Sequence, residues 1–281
     1  MKNILVSVSG GRTSGYMAAY IKRTMPDENL LFVFANTGQE HPKTIEFLKN
    51  LDRHFGLGLV CVEAVVHHGE RAGTTHKVVD INSLHMGGDL FRAMCAKYGL
   101  PNKDYPHCNR ELKLAPIHSY AKQHFGSDDY DTAIGIRADE IDRMSTSARE
   151  RRIFYPLVKN PTIKAQIHDW WKKQPFDLEI PEHHGNCLTC WKKSDRKLKT
   201  IATDNPEWFD LFRELERDHG WSGYVMDDQT EPRKFFRRYR SVDDIFTEAK
   251  HPFVKFTDGS AQMGLFAADE DIPCTLDCGI D

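Results

Sequence analysis

Residues 4–9 alternate apolar and polar positions and end in glycines, the pattern of a short buried strand running into a turn. From there to Arg23, Tyr16, Met17, Tyr20 and Ile21 recur at helical spacing. A second strand is predicted over 30–35 and a second helix over 42–54, with Pro42 suited to a first helical position. A third strand is predicted over 59–66. Residues 67–106 are rich in glycine and histidine and predict one helical piece, around 90–98. A helix over 109–125 and a strand over 132–137 follow. Strands alternating with helices predict an α/β fold built on a doubly wound parallel sheet. After Leu157 the pattern offers no further buried strand. It predicts helices over 162–172, 193–203 and 207–218, then an irregular Gly-, Pro- and acid-containing tail over 259–281. The expected organisation is an α/β domain over 1–158 and a helical, cysteine-bearing region over 159–281.

Composition narrows the class. The chain has 281 residues, 40% hydrophobic and 28% charged, as in a folded globular protein rather than a disordered one. The formal net charge of −3 supplies no global field toward nucleic acid, though it leaves room for a local basic patch. No apolar run reaches the length of a membrane span, and the N-terminal apolar stretch is only one strand long, so neither a membrane anchor nor a signal peptide is expected. A cytoplasmic location is expected, with the seven cysteines serving as thiols or metal ligands rather than disulfides.

The strongest local chemistry lies at Ser9-Gly10-Gly11-Arg12-Thr13-Ser14. A strand, a glycine turn and a helix N-terminus together make an anion site. The first N–H groups of a helix lack internal partners, and its dipole adds partial positive charge. Glycines let the backbone close on phosphate oxygens, while Ser9, Thr13 and Ser14 add hydroxyls and Arg12 adds a cation. The spacing is not that of a Walker loop.

This segment resembles the PP-loop, SGGxDS, of the ATP-pyrophosphatase and phosphoadenosine-phosphosulfate (PAPS) reductase superfamily, with Thr13 in place of the common Asp. Other segments resemble the family in the same order: Asn36-Thr37-Gly38-Gln39-Glu40 with Pro42 and Thr44; His107-Cys108-Asn109-Arg110-Glu111-Leu112-Lys113; Gly135-Ile136-Arg137-Ala138-Asp139-Glu140 with Arg143; Tyr155-Pro156-Leu157; and Gly185-Asn186-Cys187-Leu188-Thr189-Cys190. The resemblance implies an enzyme that binds an adenine nucleotide, either ATP or a sulfonucleotide such as PAPS or adenylyl sulfate. Residues 9–14 and Gly135 would contact the phosphates, Asn36, Thr37 and Gly38 the adenine or ribose at the sheet edge, and Arg137 and Arg143 the reacting charge. Arginine pairing with Asp139, Glu140 or Asp142 is the plainer alternative for the last two. Magnesium is a further candidate ion.

Cys187 and Cys190 form a C-x-x-C pair, Cys108 is a third thiol, and Cys274 and Cys278 lie in the tail. Cys108, Cys187, Cys190 and Cys278 would make a four-thiolate set for a 4Fe–4S cluster, which the resemblance favours, or for zinc; ordinary buried thiols are the third reading. The tail Asp277-Cys278-Gly279-Ile280-Asp281 also resembles the ECGLH or ECGIH end of sulfonucleotide reductases, where the cysteine attacks sulfur. Cys61 and Cys95 read as core residues, and His67, His68, His76 and His85 as scattered loop histidines.

Lys192, Lys193, Arg196, Lys197 and Lys199 form a basic run read by default as a solvated helix face. Phe235-Phe236-Arg237-Arg238-Tyr239-Arg240 interleaves aromatics with arginines; either stretch could hold a phosphate backbone and stack bases, and a solvated helix face is the default reading of both. Three functions follow from the resemblance. One is ATP α-phosphate cleavage that activates a tRNA, DNA or small-molecule acceptor for sulfur transfer from a thiol or sulfur-donor protein. The second is reduction of a sulfonucleotide to sulfite with Cys278 as nucleophile. The third is non-catalytic nucleotide binding.

Overall fold

The computed structural model describes residues 1–258 except 70, 186, 224–228 and 237–238. The expected Cys278, with Cys274, therefore lies outside the described residues. A six-stranded sheet has the order β4-β3-β2-β1-β5-β6. Its strands are β1 (Asn3–Ser7), β2 (Asn29–Asn36), β3 (Val60–Val66), β4 (Thr74–Val79), β5 (Asp131–Ala133) and β6 (Ile153–Phe154). All neighbours are parallel except β4, which runs antiparallel to β3.

Alternation along the inner strands divides the core in two. Ile4 and Val6 of β1, with Phe32 and Phe34 of β2, face a cluster shared with α1 (Arg12–Thr24) and α2 (Pro42–Phe55). Leu5, Leu31, Val33 and Val62 point the other way, toward Ile117 and Ala121 of α5 (Ala115–Phe125). Successive strand side chains point to opposite faces, so a strand covered on both sides must be apolar at nearly every position, as β1 and β2 are. α2 starts at Pro42 behind a His41 cap, whose Nδ1 accepts the Lys43 N–H at 3.1 Å, and stops at the left-handed Gly56.

The remaining helices pack around this frame. α3 (Asp89–Tyr98), α4 (His107–Asn109) and a π-helical segment (Arg110–Leu114) precede α5. α6 (Pro156–Lys159) and α7 (Lys164–Trp171) follow β6, and Ile167 and Trp171 of α7 enter the same cluster as β1 and α1. α8 (Asp195–Asp204), α9 (Asp210–His219) and α10 (Val242–Ala249) share a second core with α3 that includes Leu198, Phe212 and Ile245.

Two expectations are corrected. The glycine- and histidine-rich stretch contains β4, an edge strand whose half-exposed positions give little hydrophobic signal. Within the aromatic–arginine run, Phe235 and Phe236 are core residues and the buried Arg240 pairs with Asp195 and Glu248, while Tyr239 is exposed. No described helix is long and apolar enough to cross a membrane.

Candidate nucleotide site

The chain leaves β1 for β2 on one side and returns through β5 on the other. The carboxyl ends of β1 and β5 therefore diverge, and open α/β sheets bind ligands at such a switch point. A cavity of about 550 Å³ opens there. Residues 9–14 form one wall, and Gly135, Arg137 and Arg143 form the adjoining one.

The loop is built for close approach. Gly10 has φ +80°, and a Cβ there would meet Thr44 Cγ2 at 2.5 Å, so backbone freedom and contact with α2 both demand glycine. Ser14 Oγ organises the turn: it accepts from Ser9 N at 3.1 Å and Ser9 Oγ at 3.0 Å, and donates to Gly11 O at 3.0 Å. Gly11 is the N-cap of α1 and offers no side-chain cap, so the helix end faces the cavity with its dipole uncapped.

Arg12 is turned away from a free position. Its Nε and Nη2 donate to both oxygens of Asp177 at 2.7 and 3.1 Å, Nη2 also reaches Leu178 O, and Trp171 Nε1 donates to the Arg12 carbonyl at 2.9 Å. Arg137 spans two elements. Its Nη1 donates to Thr13 Oγ1 at 3.3 Å, while its other nitrogens meet Asp139 at 3.0 Å and Glu140 at 3.1 Å. Arg143 also pairs with Glu140. The ion-pair reading of both arginines is thus present in the structure, and both still line the cavity. Burial opposes the charge on Asp139, but Arg137 outweighs it and holds the carboxyl below its ordinary range.

The opposite wall contains residues that the sequence reading assigned to a solvated face. Lys192, Lys193 and Lys197 are 4, 5 and 8% exposed and line the cavity with Lys113 and Lys164. Lys193 Nζ donates to the carbonyls of His183 at 2.7 Å and Gly185 at 2.5 Å. Glu182 bridges Lys164 at 2.8 Å and Lys197 at 3.2 Å; burial raises its pKa, but the two lysines prevail and the carboxyl sits below its usual range. Burial, then Arg12 and Lys164, keep cavity-lining His168 below its usual pKa, which favours the neutral ring. Lysines seldom bury unless their ammonium is satisfied, and the lone sequence signal was their position after the C-x-x-C.

Asn36, Thr37 and Gly38 are not on the cavity wall. Asn36 is fully buried, donating to Glu63 Oε1 at 2.6 Å and His85 O at 2.9 Å, and accepting from Gly38 N at 3.1 Å. Thr37 Oγ1 donates to Glu40 Oε1 at 2.7 Å. Their hydrogen bonds shape the β2–α2 turn and leave Glu40 and Thr44, not themselves, on the wall.

The C-x-x-C segment docks on this turn. Glu40 and Cys187 form a β-bridge, Leu188 N donates to Gln39 O at 2.8 Å, and Thr37 Oγ1 lies 3.5 Å from Cys187 Sγ. Cys187 is buried, which first of all pushes its thiol up to about 12; nearby Lys113 acts in the other direction. Cys190 lines the cavity, whereas Cys108 packs beside the α3 core. Among the described residues no three His, Cys, Asp or Glu side chains gather as a set able to hold a metal ion; the fourth thiol of the expected set, Cys278, lies outside those residues.

Fold and site define an open, doubly wound α/β protein with a glycine turn and a helix N-terminus facing a cavity at its switch point. More particularly, the chain belongs to the family of the nin region protein ORF290 of Escherichia phage lambda: the two are 34% identical over 247 residues, covering 86% of this chain and 83% of the phage protein. Protein MJ0066 of Methanocaldococcus jannaschii is 21% identical over 78% of this chain and 44% of its own length. MJ0973 of the same organism is 27% identical over 43% of this chain and 23% of its own. This chain thus spans under half the length of each archaeal relative. No family profile matches. Among solved structures, the U34-tRNA thiolase NcsA from Methanococcus maripaludis, with its [4Fe-4S] cluster, aligns over 88% of this chain and 80% of that one at 14% identity and a TM-score of 0.37, too slight a likeness to carry an argument.

Proposed function

We propose that the chain binds ATP with its phosphates against residues 9–14 and cleaves it at the α-phosphate, activating an acceptor for sulfur transfer. The observation that carries this reading is the uncapped N-terminus of α1 opening into a cavity walled on two sides by arginines and buried lysines. Its volume, about 550 Å³, suits a nucleotide-sized ligand. Polyphosphate needs several cations held in advance where charge develops, and this cavity supplies them with their carboxylate partners already fixed.

In the proposed reaction an acceptor oxygen attacks the α-phosphorus. The bond to the bridging oxygen breaks, pyrophosphate leaves with that electron pair, and the acceptor carries AMP until sulfur displaces it. The loop N–H groups hold the departing pyrophosphate, Arg137 and Arg143 balance charge near the α-phosphate, and the lysine wall screens the rest. A tRNA or DNA acceptor and a thiol or sulfur-donor protein are the partners this chemistry needs. The superfamily resemblance of residues 9–14 supports the same nucleotide.

Calorimetry with ATP, AMP and PAPS, followed by pyrophosphate and sulfite assays, tests the reading. ATP is expected to bind most tightly and to release pyrophosphate when bulk tRNA or DNA is supplied. Binding to none of the three nucleotides would sink the site. Sulfite from PAPS would establish the reductase reading instead, and tight ATP binding without turnover on any acceptor would leave a non-catalytic nucleotide protein.

A further inference from the structure

We infer that Cys187 and Cys190 are a reversible dithiol–disulfide pair at the wall of the cavity, closed by exchange with a small disulfide. Both are thiols in this structure. Cys190 N donates to Cys187 O at 3.3 Å across the turn at residues 188–189. A turn of this kind brings its first and fourth Cα atoms within about 7 Å, and a disulfide spans Cα separations of about 4.4–6.8 Å. The turn thus brings the two residues into the range a bond needs without moving the chain far.

The two thiols differ in access. Cys190 is half-exposed and lines the cavity, where an incoming molecule meets it. Cys187 is buried, 3.5 Å from the Thr37 hydroxyl. An accessible thiol beside cationic side chains meets an outside disulfide first, and the thiol across the turn is then held next to the mixed disulfide it must resolve. Lys192 and Lys193 line the same wall. Cys61 and Cys95 are buried in apolar cores, and burial raises both thiols.

The exchange runs in two steps with a disulfide oxidant such as oxidised glutathione. Cys190 gives up its proton and its sulfur attacks one glutathione sulfur; the glutathione S–S bond breaks, a mixed disulfide forms, and the first glutathione leaves and takes a proton. Cys187 then loses its proton and attacks the Cys190 sulfur, the mixed disulfide breaks, and the second glutathione leaves as thiol. Two protein thiols are oxidised and one disulfide is reduced to two thiols. The product places a disulfide where a thiol had faced the cavity.

The test incubates the full chain with oxidised glutathione, alkylates what remains reduced, and maps the tryptic peptide ending at Lys192. That peptide is expected to lose alkylation at both cysteines and to weigh two hydrogens less than the reduced form, with full recovery after dithiothreitol. C187S, checked for native circular dichroism, is expected to stop at a glutathione adduct on Cys190, and C190S to take no adduct at Cys187. A stable adduct on Cys190 in the unmutated chain, a bond from Cys190 to Cys108 or to a tail cysteine, or full alkylation of both residues after incubation would each overturn the inference. None of these readouts depends on nucleotide binding.

Discussion

Arg137 donates from Nη1 to the hydroxyl of Thr13 at 3.3 Å, joining the end of β5 to the first turn of α1 across the mouth of the cavity. The contact falls at the one loop position that departs from the SGGxDS pattern. A neutral hydroxyl there accepts the arginine without adding a third carboxylate to the two, Asp139 and Glu140, that already face it.

Removing Arg137 is therefore expected to weaken ATP binding more than it weakens the fold. R137A loses a charge-assisted contact of about 1.5–3 kcal/mol, on the order of ten- to a hundred-fold in Kd. T13V, which keeps shape and deletes the acceptor, is expected to lose less, and T13S to bind as the unmutated chain does. Calorimetry on the three variants checks the order; an R137A affinity equal to that of the parent would remove Arg137 from the site.

Gly10 has a structural reason to be glycine. G10A must hold a left-handed φ and push its methyl into Thr44 Cγ2. Strain of about 1–3 kcal/mol is expected, with a Tm lower by several degrees. T44S in the same chain is expected to recover only the part due to the clash. Differential scanning calorimetry reads both effects.

Lys193 closes a different part of the site. K193M keeps the apolar stem but leaves the carbonyls of His183 and Gly185 without their ammonium donor. Each buried acceptor left unsatisfied costs about 1–3 kcal/mol, so denaturant midpoints are expected to fall clearly. Because that turn leads into the C-x-x-C, the variant is also expected to expose Cys187 to alkylation. A native midpoint with Cys187 still protected would contradict this.

Glu216 gives the fold a pH signature away from the cavity. Burial raises its carboxyl to about 7, against partial relief from the Phe235 and Val242 N–H groups that donate to it at 2.8 and 2.9 Å. The folded protein then holds a proton that the unfolded chain releases near its ordinary carboxylate pKa. The stabilisation from this group is full below that ordinary value and is lost as pH rises through about 7. E216Q, which accepts hydrogen bonds but cannot ionise, is expected to flatten that slope. Urea titrations between pH 4.5 and 8 compare the two; parallel curves would contradict the assignment.

The doubly wound frame was legible because β1, β2 and β3 are buried on both faces and their helices keep a clear period. The glycine turn at residues 9–14 and the strand-end Gly135 and Arg137 were legible for the same reason: they follow directly from strands. What escaped depended on distant partners. β4 is an edge strand with only half a hydrophobic signal. Lys192, Lys193 and Lys197 look like any charged helix start until residues 182–185 fold over them. Asn36 and Thr37 stand at a strand end, where ligands bind in this kind of sheet, but Glu63 and Glu40 claim their hydrogen bonds. Phe235 and Phe236 read by default as part of a solvated face because the core that receives them is formed from helices remote in sequence.

Trp171 sits wholly buried against α1 and Phe47, and its indole N–H grips the carbonyl of Arg12 while Asp177 grips the same residue's guanidinium. The anion loop is thus braced by residues more than 150 positions downstream. Transplanting residues 1–158 onto another protein would carry the loop's letters without its buttress. A chimera that exchanges residues 1–158 alone is therefore expected to melt lower than one that also carries residues 171–177.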